Sequence, residues 1–294
     1  MKKETLFRGV ATALVTPFSD GKIDYAALEG LIERQIDAGI DALVIAGTTG
    51  EAATLDDDER YQLYRFASKT INKRICLILG TGTNDTKSSI RHSLFAKEAG
   101  ADALLIVTPY YNKGTKSGVV RHFSELADKV DMPIIIYNVP TRTGVDLSIA
   151  QIDELAEHDR IVGIKESSDS VDKLAHISRL AGKLDVYAGN DSCLLANLAH
   201  GGSGVISVAS NLYPCEIISI YKQYLDGKFQ EAREAFSRLI AFFDAIFCET
   251  NPAPIKYAMS IFAYLKNELR LPLAPISRES EEKILSVTKA LSEQ

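Results

Sequence analysis

Ala38-Gly39-Ile40-Asp41-Ala42-Leu43-Val44-Ile45 returns later in the chain as Ala99-Gly100-Ala101-Asp102-Ala103-Leu104-Leu105-Ile106. Each copy opens on an Ala-Gly pair suited to ending a helix and runs straight into an apolar segment suited to a buried strand. Two further strand-helix units separate the copies. Recurrence of one such unit is expected of a fold built by repeating it.

Outward from this repeat, apolar runs alternate with helical patterns. Strands are expected at Gly9–Val15, Ala42–Ala46, Ile75–Gly80, Ala103–Thr108, Pro133–Tyr137, Ile161–Lys165, Leu184–Ala188 and Gly204–Val208. Between them Leu28, Leu31, Ile32 and Ile36 recur at helical spacing, as do Val119, Phe123, Leu126, Ala127 and Val130. Asp24 stands where a helix N-cap belongs and Gly39 where that helix should stop. Strands that alternate with helices in this number predict an α/β fold, a (β/α)8 TIM barrel. An open doubly wound sheet is disfavoured, because no G-x-G-x-x-G opens a helix after the first strand. From Pro214 onward only helices are expected, a long one over Phe229–Phe247 among them, with breaks at Asn251-Pro252 and Leu271-Pro272. The expected division is a catalytic barrel over residues 1–212 and a helical segment packed on it over 213–294.

Composition narrows the function classes. The 294 residues are 46% hydrophobic and 24% charged, with 33 basic and 39 acidic side chains giving a net charge of −6. That is ordinary globular composition. Basic residues are not clustered as a nucleic-acid footprint requires, and no apolar run is long enough to span a bilayer. Cys76, Cys193, Cys215 and Cys248 are far apart, a usage suited to a reducing cytoplasm. The opening Met1-Lys2-Lys3-Glu4-Thr5 lacks a signal-peptide apolar region, so cytoplasmic residence is expected. The histidines are scattered without helical metal-ligand spacing, and no metal site is expected.

Chemistry concentrates where the predicted strands end, the place from which barrels of this type draw their catalytic residues. Ile161-Val162-Gly163-Ile164-Lys165 closes an apolar run on a lysine, followed by Glu166-Ser167-Ser168-Asp169-Ser170. A lysine held against an apolar core can lose its proton and attack a carbonyl to form a Schiff base. The alternative is a lysine whose stem packs while its head reaches water. Gly47-Thr48-Thr49-Gly50-Glu51 follows the second strand, as either a simple tight turn or a carboxylate-binding loop with free N–H groups and hydroxyls. Tyr137 is either a strand aromatic or a proton carrier needing a hydrogen-bonded relay. Tyr110-Tyr111 reads as a packed pair at an interface. Arg142 is either a solvated charge or a two-pronged grip for a carboxylate. Gly80-Thr81-Gly82 is a weak fragment of a phosphate loop, and Gly201-Gly202-Ser203-Gly204 a helix-to-strand turn.

Taken in order, Gly47-Thr48-Thr49-Gly50-Glu51, Val107-Thr108-Pro109-Tyr110-Tyr111-Asn112, Tyr137-Asn138-Val139-Pro140-x-Arg142-Thr143-Gly144, Gly163-Ile164-Lys165-Glu166 and Gly204-Val205-Ile206-Ser207-Val208 resemble the pyruvate-dependent class I aldolases. This is the family of the dihydrodipicolinate synthases and N-acetylneuraminate lyases, and the resemblance runs from about Phe7 into the C-terminal helices. Neuraminate lyases usually carry serine at the Thr48 position and lack an arginine at that of Arg142, so the synthase branch is the nearer one.

The resemblance implies a Schiff-base aldol condensation of pyruvate with L-aspartate 4-semialdehyde, in the diaminopimelate route to lysine. Lys165 would form the imine, with Tyr137, Thr48 and Tyr111 as proton relay and Tyr111 lent by a neighbouring subunit. Thr48, Thr49 and the backbone at Ile206 would hold pyruvate, and Arg142 the semialdehyde carboxylate. No cofactor is implied; a homo-oligomer, a dimer or a dimer of dimers, is. The alternatives are an aldolase for a sugar-derived 2-keto acid and a non-catalytic barrel. In lysine-inhibited members the inhibitor lies near the positions of Ala52, Asp57, Arg60, Asn84, Ser88 and Tyr110. Strongly inhibited forms have glutamate at the Ser88 position and histidine at the Arg60 position. Weak or absent inhibition by lysine is therefore expected.

Overall fold

A computed structural model of the chain describes residue 3, residues 5–168 and residues 170–293. Asp169 of the polar stretch after Lys165, and Met1, Lys2 and Glu4 of the opening segment, lie outside the described residues, as does Gln294. Eight parallel strands form a closed barrel: β1 (Gly9–Ala13), β2 (Ala42–Ile45), β3 (Cys76–Gly80), β4 (Ala103–Val107), β5 (Ile134–Asn138), β6 (Ile161–Glu166), β7 (Asp185–Ala188) and β8 (Gly204–Ser207). Each pairs with its sequence neighbours, and β1 pairs with both β2 and β8. The predicted (β/α)8 barrel is the observed fold.

Alternation along the strands builds two apolar layers. Ala42 and Val44 of β2 face the barrel interior with Ile78, Leu105, Ile135 and Ile206, while Leu43 and Ile45 face the helices. Phe7 and Tyr187 stack at 4.3 Å within the interior layer. The aspartate shared by the two repeat copies has one job in both. Asp41 accepts from the Val10 N–H at 2.8 Å, and Asp102 accepts from the Leu77 N–H at 2.9 Å. Each carboxylate thus satisfies a donor at the start of the neighbouring strand, which buried backbone requires. Gly9 makes room for this. A Cβ there would lie 1.9 Å from the Asp41 carboxylate, and its φ of +137° also favours glycine.

Helices α1 (Tyr25–Asp37), α2 (Asp57–Ile71), α3 (Thr86–Ala99), α4 (Lys116–Val130), α5 (Ile149–Ala156), α6 (Val171–Ser178) and α7 (Leu194–Ala199) cover the barrel. Asp24 caps α1 by accepting from the Ala27 N–H at 3.0 Å, and Gly39 turns the chain with φ +82° after that helix. Within residues 213–294, α8 (Pro214–Leu225) packs on β1 and α7 and so serves as the barrel's eighth helix. Beyond it come α9 (Phe229–Ala245), two residues shorter than expected, then α10 (Ala253–Ile261) and α11 (Arg278–Ser292). These later helices pack on one another, and the segment joining α9 to α10 reaches the strand ends. No helix among the described residues is long and apolar enough to cross a membrane.

Candidate active site

Lys165 and Tyr137 are register partners across β5 and β6. Both side chains belong to the barrel interior and are nearly out of water, at 4% and 7% exposure. The Lys165 Nζ sits 4.3 Å from the centre of the Tyr137 ring, so the amine rests over an aromatic face. The alternative of a lysine head reaching freely into water does not hold. Immediately behind the pair, Glu166 accepts from Asn138 Nδ2 through both oxygens, at 2.9 and 3.0 Å, and from the Ser168 N–H at 2.8 Å. Asn138 and Glu166 are the next residues after Tyr137 and Lys165, so this buried bridge fixes the two strand ends against each other.

Asp191 is a second buried acid near the lysine, on the loop after β7. It accepts from Ser207 Oγ at 2.5 Å and from the N–H groups of Val208 and Ala209 at 3.0 and 3.1 Å. Burial pushes its carboxyl up from the ordinary range, against these hydrogen bonds and the charge of Lys165.

Two cavities meet at this point. The larger, about 650 Å³, is walled by Lys165, Tyr137, Thr49, Arg142, Asp191 and Asn251, among others. The smaller, about 290 Å³, includes Thr48, Tyr110 and Arg60 in its wall. Tyr137, Arg142 and Asn251 line both. The space is of the size that takes a small molecule, and Arg142 brings a guanidinium to the junction.

The threonine loop is a tight turn and a cavity wall at once. The N–H groups of Gly50 and Ala52 turn back to Gly47 O, at 3.1 and 3.3 Å, and that of Glu51 to Thr48 O at 3.1 Å. The expected supply of free loop N–H groups is thus reduced, because the turn uses three of them itself. Thr49 is buried and its Oγ1 accepts from Asn251 Nδ2 at 2.9 Å. Glu51 bolts the loop down. Its Oε1 accepts from Lys256 Nζ at 2.6 Å, and its Oε2 from the Arg270 N–H at 3.0 Å. Lys256 also donates to Thr16 O at 3.0 Å, and both charged side chains are fully buried. Burial pushes the Lys256 amine down from its ordinary value despite the paired carboxylate.

Arg142 lies on a single helical turn, Pro140–Thr143, and donates from Nη2 to the Asn251 carbonyl at 2.9 Å. Ile206 is fully buried in the interior layer that also holds Tyr137, while Val208, two residues on, reaches the larger cavity. Tyr111 stands apart. It is 89% exposed with a left-handed φ of +68°, whereas its neighbour Tyr110 lines the smaller cavity. Within the chain, therefore, Lys165, Tyr137, Thr48, Thr49 and Arg142 converge and Tyr111 does not. Asn251, Asp191 and the Glu51–Lys256 pair are additions to the set expected from sequence. The Asn251-Pro252 helix break is the one local signal that could have drawn attention to Asn251.

A closed (β/α)8 barrel with a buried strand-end lysine against a tyrosine, in a cavity that also holds an arginine, has the equipment of a Schiff-base aldolase. Residues 6–291 match the model of the dihydrodipicolinate synthetase family, and the chain belongs to that family. It is similar to the 4-hydroxy-tetrahydrodipicolinate synthases of Hydrogenobaculum sp. (strain Y04AAS1), 42% identical over 97% of this chain and 98% of the relative, and of Brachyspira hyodysenteriae, 44% identical over 96% and 97%. Among solved structures it resembles the 4-hydroxy-tetrahydrodipicolinate synthase of Methylacidiphilum fumariolicum SolV, with TM-score 0.96 and 40% identity over 98% of this chain and 96% of that one.

Proposed function

We propose that this chain is a lyase of the class I aldolase type that condenses pyruvate with L-aspartate 4-semialdehyde to 4-hydroxy-tetrahydrodipicolinate, on the diaminopimelate route to lysine. The observation that carries this reading is the buried Lys165 amine over the Tyr137 ring, in a cavity shared with Arg142 and Thr49. Membership of the family supports the substrate pair. A coupled assay with the two substrates tests it: ring product forming at a rate dependent on both supports the reading, and a clear preference for a sugar aldehyde over the semialdehyde contradicts it.

In the proposed chemistry, the Lys165 amine adds to the ketone carbon of pyruvate, and uptake of a proton with loss of water leaves a protonated imine. This cation draws electrons from the methyl carbon, which gives up a proton to form an enamine. The enamine carbon bonds to the aldehyde carbon, whose oxygen takes up a proton. The amine of the former semialdehyde then adds to the imine carbon, closing the ring and expelling Lys165. Covalent catalysis divides one difficult carbon–carbon bond formation into easier steps. Lys165 itself provides the electron sink, so no cofactor enters the reading. Thr48 and Thr49 with the backbone at Ile206 take the pyruvate carboxylate, and Arg142 takes that of the semialdehyde.

Tyr137 and Thr48 belong to the proton relay, with Tyr111 as its outer member. The exposure of Tyr111 fits a side chain that completes the site of a second copy, so the reading includes a homo-oligomer of at least two chains. A reducing cytoplasm suits the dispersed cysteines. Residues 1–212 carry Lys165, Tyr137, Thr48, Thr49, Tyr111, Arg142 and Ile206, and residues 213–294 add Phe243, Phe247 and Asn251 to the wall of the larger cavity.

Two variants separate the roles. Arg142→Ala is expected to lower kcat/KM for the semialdehyde by about 10- to 100-fold while leaving pyruvate imine formation near its normal rate, because the carboxylate grip is lost and the nucleophile remains. Tyr137→Phe is expected to slow imine formation itself by about 10²- to 10⁴-fold. Single-turnover trapping of the imine checks both; equally slowed trapping in the two variants contradicts the division.

L-lysine is expected to inhibit weakly. Ser88 offers a neutral hydroxyl where a carboxylate would pair with an ammonium group, and Arg60 adds a like charge to the smaller cavity. Asp57 does not compensate, since its carboxylate already holds His92 Nε2 at 2.9 Å and Arg91 at 3.0 Å. Each of the two changes costs a bound lysine on the order of 1–3 kcal/mol. Titration of L-lysine into the steady-state assay checks this, and half-inhibition at sub-millimolar lysine contradicts it.

A further inference from the structure

We infer that Ser167 is a further catalytic residue, whose hydroxyl donates a hydrogen bond to the aldehyde oxygen of the second substrate as the carbon–carbon bond forms. The inference rests on the proposed function and extends it. The Ser167 N–H donates to Asn138 O at 2.9 Å, so the extended chain continues past the end of β6. Side chains two residues apart share a face, which sets Ser167 on the same side as Lys165, about 6.5 Å further toward the barrel mouth. Ser167 is 5% exposed and lines the larger cavity with Lys165 and Arg142. Its Oγ is buried and makes no hydrogen bond among the described residues. Gly189 leaves the room in which this hydroxyl stands, since a Cβ there would lie 1.8 Å from Ser167 Oγ. A buried hydroxyl without a partner is costly to a fold, and in the wall of a reaction cavity it marks where a polar atom of the ligand belongs.

The chemistry of the reaction says which atom. Of the polar groups on the semialdehyde, the carboxylate goes to Arg142 and the amine must stay free to attack the imine carbon. The aldehyde remains. Its carbon bonds to the enamine held on Lys165, and Ser167 is the next residue along the face that Lys165 occupies. As that bond forms, the electron pair of the C=O bond passes to oxygen, and the Ser167 O–H meets a charge that develops only then. A fixed neutral donor so placed stabilises the transition state more than the bound aldehyde. The oxygen takes its proton from the relay that includes Tyr137, so Ser167 keeps its own.

Ser167→Ala removes the hydroxyl and little else. When the enzyme, already carrying pyruvate as its imine, is mixed with L-aspartate 4-semialdehyde in a single turnover, condensation in this variant is expected to slow by about 10- to 100-fold. Exchange of the pyruvate methyl hydrogens with D2O, followed by NMR without any aldehyde, reports imine and enamine formation alone. It is expected to stay within about twofold of the wild type, because Ser167 acts after those steps. A purely structural role would slow exchange and condensation together, and that result overturns the inference. Condensation at the wild-type rate in Ser167→Ala overturns it as well. A wild-type enzyme that exchanges the methyl hydrogens but does not condense with the semialdehyde overturns the proposed function instead.

Discussion

Lys165→Ala is expected to lose the condensation almost completely, by roughly 10³-fold or more in kcat, because the nucleophile and the electron sink are one group. Orientation by Thr49 and Arg142 remains, yet nothing left in the cavity can make the pyruvate methyl acidic. Lys165→Arg is the informative companion. It keeps a positive charge, but a guanidinium stays protonated and forms no imine, so it is expected to be as inactive as alanine. Steady-state assay of both variants checks the expectation. Activity within tenfold of the wild type in either would mean that charge or packing, rather than covalent attachment, is what Lys165 contributes.

Glu51→Gln is expected to destabilise the fold by roughly 3–5 kcal/mol, the typical cost of removing one partner from a buried ion pair. Lys256 is fully buried with Glu51, and among the described residues its Nζ otherwise meets Thr16 O and the Phe18 ring. The effect should spread to catalysis, because Glu51 anchors the turn that presents Thr48 and Thr49. Replacing both partners, Glu51→Gln with Lys256→Met, should recover much of the loss by removing the stranded charge. Urea unfolding midpoints measure this. A loss under about 1 kcal/mol in the single variant would show that the pair carries little of the connection between barrel and C-terminal helices.

What could be seen in the sequence follows from the range of the interactions involved. The barrel was legible because each strand-helix unit carries its own pattern: the Ala38–Ile45 repeat, the Asp24 cap and the Gly39 stop are local. Lys165, Tyr137 and Arg142 were legible because strand ends are the catalytic face of such a barrel and the motifs sit there. What was hidden depends on pairings remote in sequence. Glu51 meets Lys256 and Arg270, and Thr49 meets Asn251, across some two hundred residues. No periodicity or spacing announces such a pair. The turn at Gly47–Ala52 uses its own N–H groups locally, and only its folded geometry displays which. Asp191 was hidden differently, its donors being the Ser207 hydroxyl at the end of β8 and two backbone groups just past it.

The central claim is that Lys165 becomes covalently bonded to pyruvate, and the most direct measurement traps that bond. Incubation with pyruvate and borohydride, followed by peptide mass mapping, is expected to show one reduced pyruvate per chain on the peptide containing Lys165, with Lys165→Ala left unlabelled. An adduct on another lysine, or none on the active wild-type enzyme, would contradict the Schiff-base account.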